Sequence, residues 1–313
     1  MVASTPLAAA PTLREGTCYH FVYKDGRIVR VDYRLNGTLS PDPASGVATI
    51  RVEHSGGAEK RVFLDAGGRP APNLDGIYAV VLTYDDKGHP LEWRSLGADG
   101  QLKEAPQAFL IEMNPHETIV PHFHEVDQFQ VFVAGGGGLG RNNEVAHPIA
   151  VHYADHHTGY GPINAGPQGF SYFTLRAKTD PGAVYLHQPG YREKLKPSKQ
   201  RHYLAPVTLS TEPVLLSRGG VALEPLPGNQ DQEADGLGAF MLRMGPDMQT
   251  TGPDPRRTGG QYYLVANGSL DRNGRSYPAW STIFVDPAET PLEIHAGSQG
   301  LEALILQYAR PAA

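Results

Sequence analysis

Pro121-His122-Phe123-His124-Glu125-Val126-Asp127-Gln128-Phe129-Gln130-Val131-Phe132-Val133-Ala134-Gly135 is the stretch whose reading decides the fold. Two histidines stand one residue apart, and behind them an apolar run alternates with period two and stops at a glycine. Side chains at i and i+2 of a β-strand point to one face. The spacing therefore predicts two imidazoles, His122 and His124, aimed at one point. Gln128 shares their parity if the strand continues without a bulge; Gln130 takes its place if a bulge shifts the register. Glu125 and Asp127 fall on the opposite face by the same count. Neutral imidazole suits Zn, Fe, Cu and Ni, so the stretch reads as a metal-holding strand.

Working outward, the histidines thicken around this strand. Residues 116, 122, 124, 147, 152, 156 and 157 are all histidine, seven of the chain's 13. Taken singly, most of these read as loop residues with ordinary hydrogen bonds. The pair His122/His124 does not, because same-face spacing, strand context and a following glycine turn coincide. Upstream, His20, His54 and His89 are isolated and read as structural or exposed.

The same segment belongs to a repeat. Ala108-Phe109, Met113 and Pro115 recur at offset 131 as Ala239-Phe240, Met244 and Pro246, and Ala165-Gly166, Gly169 and Leu175 recur as Ala296-Gly297, Gly300 and Leu306. Between them Gln128 to Gly135 matches Gln261 to Gly268 at offset 133, which implies a two-residue insertion. A shared offset at both ends argues for a duplicated all-β domain, copies 105–190 and 207–313. The charged, Pro-bounded segment 191–206 reads as a connector with one short helix. Residues 1–16 read as a disordered lead-in. Residues 17–104 alternate β-branched or aromatic runs with Gly-bearing turns, the hairpin signature. Within them Gly46–Gly68 echoes Gly76–Gly100 at offset 32, with Tyr84-Asp85-Asp86-Lys87-Gly88 as a turn, so two hairpin units extend one antiparallel sheet.

Composition bounds the remainder. The 313 residues carry a formal net charge of −6 with no basic block, which excludes nucleic acid and anionic membrane as favoured partners. Glycine (36) and proline (27) predict many turns. The single cysteine, Cys18, excludes an internal disulfide and a cysteine zinc site, and reads as a small half-buried residue. No apolar run reaches ~18 residues, and MVASTPLAAAPTL lacks a basic n-region, so a cytoplasmic protein is expected. Gly135-Gly-Gly-Gly-Leu-Gly140 follows a strand but opens no helix, so it reads as a flexible hairpin turn and not a dinucleotide loop.

With His-x-His, three residues, Gln128, six residues and Gly135, the segment resembles the first motif of the cupin superfamily, with Gln where that family usually carries Glu. The resemblance implies two jelly-roll β-barrels of a bicupin, preceded by the hairpin domain. It implies one divalent metal, Fe, Ni, Mn or Zn, on His122, His124 and Gln128. The family's second motif brings a further histidine; in HHTGYGPINAGPQGF its place is taken by Tyr160 or Gly161. The fourth ligand is then His157, His156 or His152, in that order. Tyr160 is a ligand, a general acid or base, or an aromatic wall of the pocket, with His157 as the second catalytic candidate. Phe129, Phe132, Tyr153, Phe170 and Tyr172 are further candidates for that wall. The second copy has Gly252-Pro-Asp-Pro-Arg-Arg-Thr-Gly-Gly instead of histidines, so it reads as a metal-free barrel for packing and oligomerisation, a homodimer being the simplest case. Asp254, Arg256 and Arg257 read there as a solvated loop first, with anion binding as the alternative. The function expected is a metal-dependent enzyme acting on a small organic substrate: a dioxygenase first, then a Lewis-acid lyase, isomerase or hydrolase. The alternative is a non-catalytic sensor that binds a metal or small molecule.

Overall fold

A computed structural model describes residues 16–43, 45–74, 76–84, 90–103, 105–227 and 234–311. The lead-in at 1–15, and residues 85–89 with His89 and most of the Tyr84–Gly88 turn, lie outside the described residues. The chain forms two compact units, Met1–Ala105 with Lys178–Val184 and Pro106–Ala177 with Tyr185–Ala313. Strands make up nearly all of the regular structure. Among the described residues no helix is long and apolar enough to cross a membrane.

The first unit is one antiparallel sheet built in chain order from Thr17–Lys24, Arg27–Leu35, Thr49–Ser55, Ala58–Leu64, Ala79–Tyr84 and Pro90–Leu96, with Thr38–Leu39 beside the second strand. The offset-32 repeat is visible in its turns. Leu64 bridges Pro70 as Leu96 bridges Leu102, and Gly68 N–H donates to the Asp65 carbonyl as Gly100 N–H does to that of Gly97. Val47, Phe63, Val80 and Leu82 form one buried cluster of this sheet, and Val62, Leu64 and Ala79, of opposite parity, form a second. His54 Nε2 donates to the Ile28 carbonyl oxygen at 2.8 Å, and His20 is exposed. Cys18 is exposed, not half-buried: it sits on the edge strand Thr17–Lys24, most of whose residues are exposed on both faces.

The second unit holds two seven-stranded antiparallel sheets with the same central order. In the first half, Ala150–Ala154, Gln128–Leu139, Ile163–Arg176 and Gln107–Met113 lie side by side; in the second, Thr282–Val285, Gln261–Arg272, Glu293–Gln307 and Gly238–Met244 do. The long central pair is bulged after Phe132 and Gly135 in one half and after Val265 and Gly268 in the other, both at offset 133. A bulge adds one unpaired residue and bends its strand, so the duplication extends to where each sheet curls.

Two sequence expectations change here. Gly135–Gly138 does not form a turn but continues the strand Gln128–Leu139. A Cβ at Gly135, whose φ is +73°, would lie 2.2 Å from the Gly169 carbonyl oxygen, so glycine permits the close approach of the bent strands. The connector 191–206 holds the expected short helix, Tyr191–Lys194, but His202–Pro206 pairs with Ala150–Ala154 and is a strand of the first half.

Alternation then divides each strand between two tasks. Phe132, Ala150, Ala154, Phe170 and Tyr172 point inward with Tyr160 and form the first half's own core, with Phe132 stacked on Phe170 at 4.4 Å. Phe129, Val131, Val151, Tyr153, Leu175 and Ala205 point outward and pack with Leu264, Leu304, Leu306, Tyr262 and Tyr308 of the second half. Phe129 and Tyr153 are therefore core between the halves and no part of a pocket wall. Burying a large apolar side chain contributes roughly 1.5–3 kcal/mol, so this shared layer holds the two halves as one body.

Candidate metal centre

The site lies at the inward-facing end of the first half. His122–Phe123 is a two-residue strand whose backbone pairs with Tyr160: His122 N–H donates to the Tyr160 carbonyl at 3.1 Å, and Tyr160 N–H to that of His122 at 3.0 Å. The strand does not run on to Gln128. A turn over 124–127 intervenes, and Gln128 opens the next strand. The turn nevertheless returns Gln128 to the same side. His122, His124, Gln128 and Tyr160 are all buried, and the two imidazoles meet edge to face with ring centroids 5.2 Å apart.

Their polar atoms form one ordered chain. His122 Nδ1 lies 2.8 Å from the Val120 carbonyl oxygen, which can only accept, so Nδ1 carries the proton and Nε2 presents a lone pair. Tyr160 Oη stands 2.9 Å from that Nε2 and donates to it. The Gln128 amide nitrogen donates in turn to Tyr160 Oη. Gln128 Oε1 accepts from Arg176 Nε at 3.1 Å and from a terminal guanidinium nitrogen at 3.0 Å. The two arginine donors fix which end of the amide is oxygen. Arg176 also reaches Gln107 Oε1 at 3.2 Å, comes within 3.2 Å of His124 Nδ1, and lies over the Phe109 ring.

Of the remaining histidines, His157 and His156 turn away from this group and His152 lies at its edge. His157, placed first as fourth ligand, turns its ring onto Phe123 at 5.5 Å, and Phe123 alternates away from His122. Burial holds the His157 imidazole below its usual value. His156 bonds Asp127 through Nδ1 at 2.6 Å, which raises its pKa. His152 is fully buried beside the cluster, its ring 5.0 Å from that of Tyr160. Its Nδ1 donates to Gln130 Oε1 at 2.7 Å and its Nε2 has no partner, and burial holds the ring well below its ordinary pKa. Gln130 is thereby engaged, and the bulge that would bring it into ligand register falls beyond it, after Phe132.

Among the described residues no three of His, Cys, Asp and Glu come together in a way that could hold a metal ion. A metal therefore needs a donor from outside those four residue types here, and Tyr160 Oη lies next to His122 Nε2. His122 Nε2 and Tyr160 Oη lie 2.9 Å apart, a separation that two ligands of one ion at about 2.0–2.1 Å can have. The His124 ring lies beside this pair, with its Nδ1 and Nε2 at 3.2 and 3.4 Å from an Arg176 guanidinium nitrogen. Gln128 is turned to Arg176 and Tyr160 and stands behind that set. Arg176 is the residue the sequence reading missed. Its signal was there: Phe170, Tyr172, Thr174 and Arg176 share one parity, and a lone arginine ends an inward-facing row.

No family model matches this chain, and no curated protein matches it. Solved structures with a similar course of chain include a candidate dioxygenase from Nostoc punctiforme, 11% identical, with a TM-score of 0.44 over 78% of this chain and 79% of that one. A salicylate 1,2-dioxygenase from Pseudaminobacter salicylatoxidans is 14% identical, with a TM-score of 0.42 over 69% and 75% of the two chains. A bacterial pirin from Escherichia coli, in complex with nickel(II), is 12% identical, with a TM-score of 0.38 over 83% and 95%. Likeness at this level leaves the chemistry to the residues of this chain.

Proposed function

We propose that the first half of the second unit is a metal-dependent, cupin-type enzyme site for a small organic substrate, with His122, His124 and Tyr160 as ligands and dioxygenase-type chemistry as the first expectation. The observation that carries this is the convergence of the four motif positions, 122, 124, 128 and 160, on one buried point although a turn and 32 residues separate them. A divalent metal there supplies a Lewis acid and, where it is redox-active, a means of activating dioxygen. The chain's own part is orientation. The Val120 carbonyl keeps the proton on His122 Nδ1, so Nε2 faces the centre as a donor. Gln128, clamped by Arg176, donates to Tyr160 Oη and holds that oxygen beside His122 Nε2; the phenol proton that now bridges the two atoms would have to leave for both to serve as ligands. Burial keeps bulk water away from these atoms.

A non-catalytic reading is favoured by one observation: each of these polar groups already has a protein partner, and a guanidinium stands beside two of them. Two measurements separate the readings. Metal content of purified protein should be stoichiometric in the wild type and lost in His122→Ala/His124→Ala. Oxygen uptake or product formation on a panel of small organic substrates should follow the metal. A metal-free wild type that no added metal activates would sink the enzyme proposal.

A further inference from the structure

The mouth of the second half holds a cavity of about 530 Å³, in the position that the metal motif takes in the first. It is lined by Pro253, Asp254, Arg257, Gly236, Gln307 and Arg310. Gln307 matches Arg176 at offset 131, and Gln261 matches Gln128 at offset 133. Both glutamines are buried, and they pair across the strands as Gln128 and Arg176 do: Gln261 Nε2 donates to Gln307 Oε1 at 3.3 Å. So the architecture of the first mouth is retained, while its cation has moved from the floor to the rim.

We propose that this mouth binds a small organic anion through a carboxylate or phosphate group. The charge balance is the first ground. Asp254 caps the short turn Pro255–Arg257, and both of its oxygens are taken by Arg256, at 2.9 and 3.1 Å. The acid in the lining is thus neutralised by a residue outside it, and Arg257 and Arg310 leave two positive charges over the cavity. The second ground is rigidity. Arg310 is held by a bond to the Ala234 carbonyl at 2.8 Å. The Arg257 backbone is pressed so close to Gly236 that a Cβ there would lie 2.0 Å from the Arg257 carbonyl oxygen. The third is the floor. Gln307 Nε2 spends one N–H on the Gly236 carbonyl at 3.3 Å, and its second is available to a ligand oxygen. Two planar guanidinium forks above an amide donor match an oxyanion's geometry better than that of any neutral group. The volume suits a molecule the size of a dicarboxylate or an aromatic acid.

Isothermal titration of the full chain with succinate, benzoate and inorganic phosphate tests this. The wild type should bind at least one of them, more weakly as sodium chloride is raised. Arg257→Gln and Arg310→Gln, both at exposed positions, should each weaken binding about tenfold or more. Arg272→Gln should not, and His122→Ala/His124→Ala should leave binding intact, which separates this site from the metal centre. A carboxylate preference or a phosphate preference identifies which oxyanion the mouth takes. Absence of binding by all three probes at millimolar concentration, or equal affinity in the two rim variants and the wild type, overturns the proposal.

Discussion

Replacing Tyr160 by Phe removes one oxygen and nothing else from the ordered chain. That oxygen is the partner of both His122 Nε2 and the Gln128 amide nitrogen, and both are buried. Each buried polar group left without a partner costs about 1–3 kcal/mol. Two of them together put the loss near 3 kcal/mol. In a unit of this size about 3 kcal/mol lowers Tm by roughly 6–12 °C. Tyr203 supplies the matched control. It lies on the neighbouring strand His202–Pro206, and its buried hydroxyl has no partner. Tyr203→Phe discards an unsatisfied group and should be neutral or slightly stabilising. Urea and thermal unfolding of both variants, with metal content measured beside them, decide the matter. If Tyr160→Phe loses no more stability than Tyr203→Phe, the chain of bonds drawn through Tyr160 is wrong.

Three other outcomes are expected. Burial depresses the pKa of His152, so the unfolded chain binds that proton more readily; the stability is full above the unfolded value of about 6.5 and is lost as pH falls toward the folded one. His152→Leu should flatten the loss between pH 7 and 5 in urea midpoints. Asp127 raises the pKa of His156, so the sign reverses: that stability is full below about 6.5 and fades as pH rises through the folded value. His156→Ala should therefore cost more at pH 6 than at pH 8.5. In the second half Glu302 is fully buried and bonds Arg243, Ser210 and Asn267; Arg243 keeps Glu224 and the Thr208 carbonyl, so Glu302→Ala should cost about 1.5–3 kcal/mol, the loss of charge-assisted hydrogen bonds. Chemical denaturation reads it directly.

Much of this fold was legible because two short periods carry it. Alternation marked the strands, and the offsets 32, 131 and 133 marked which of them repeat; the structure adds bulges at positions that match at offset 133. Spacing placed His122 and His124 together, and the family pattern put Tyr160 where a histidine would stand. What the sequence did not show was direction. His157 is three residues from Tyr160, yet its positive φ of 55° turns it to the far side. Arg176 lies 48 residues from Gln128 and meets it only because strand pairing brings the two ends level. Gly135 and Gly137 read as a loop but lie in a strand, where a Cβ on either would meet a neighbouring strand's carbonyl oxygen.

The strands that carry the site also carry, on alternate residues, the layer between the halves: Gln128 and Gln130 look inward while Phe129 and Val131 look outward. The inward side chains of the second half are therefore under no obligation from the first, whereas its outward ones are. Leu264, Leu304 and Leu306 must stay apolar whatever becomes of the mouth above them. A duplicated half can shed its chemistry without being dispensable, since it remains the foundation on which the other stands. A chain ended after Pro206 would bare Phe129, Val131, Val151 and Leu175 to water, and would lose the buried His122–Tyr160 cluster through insolubility before any of its side chains was touched.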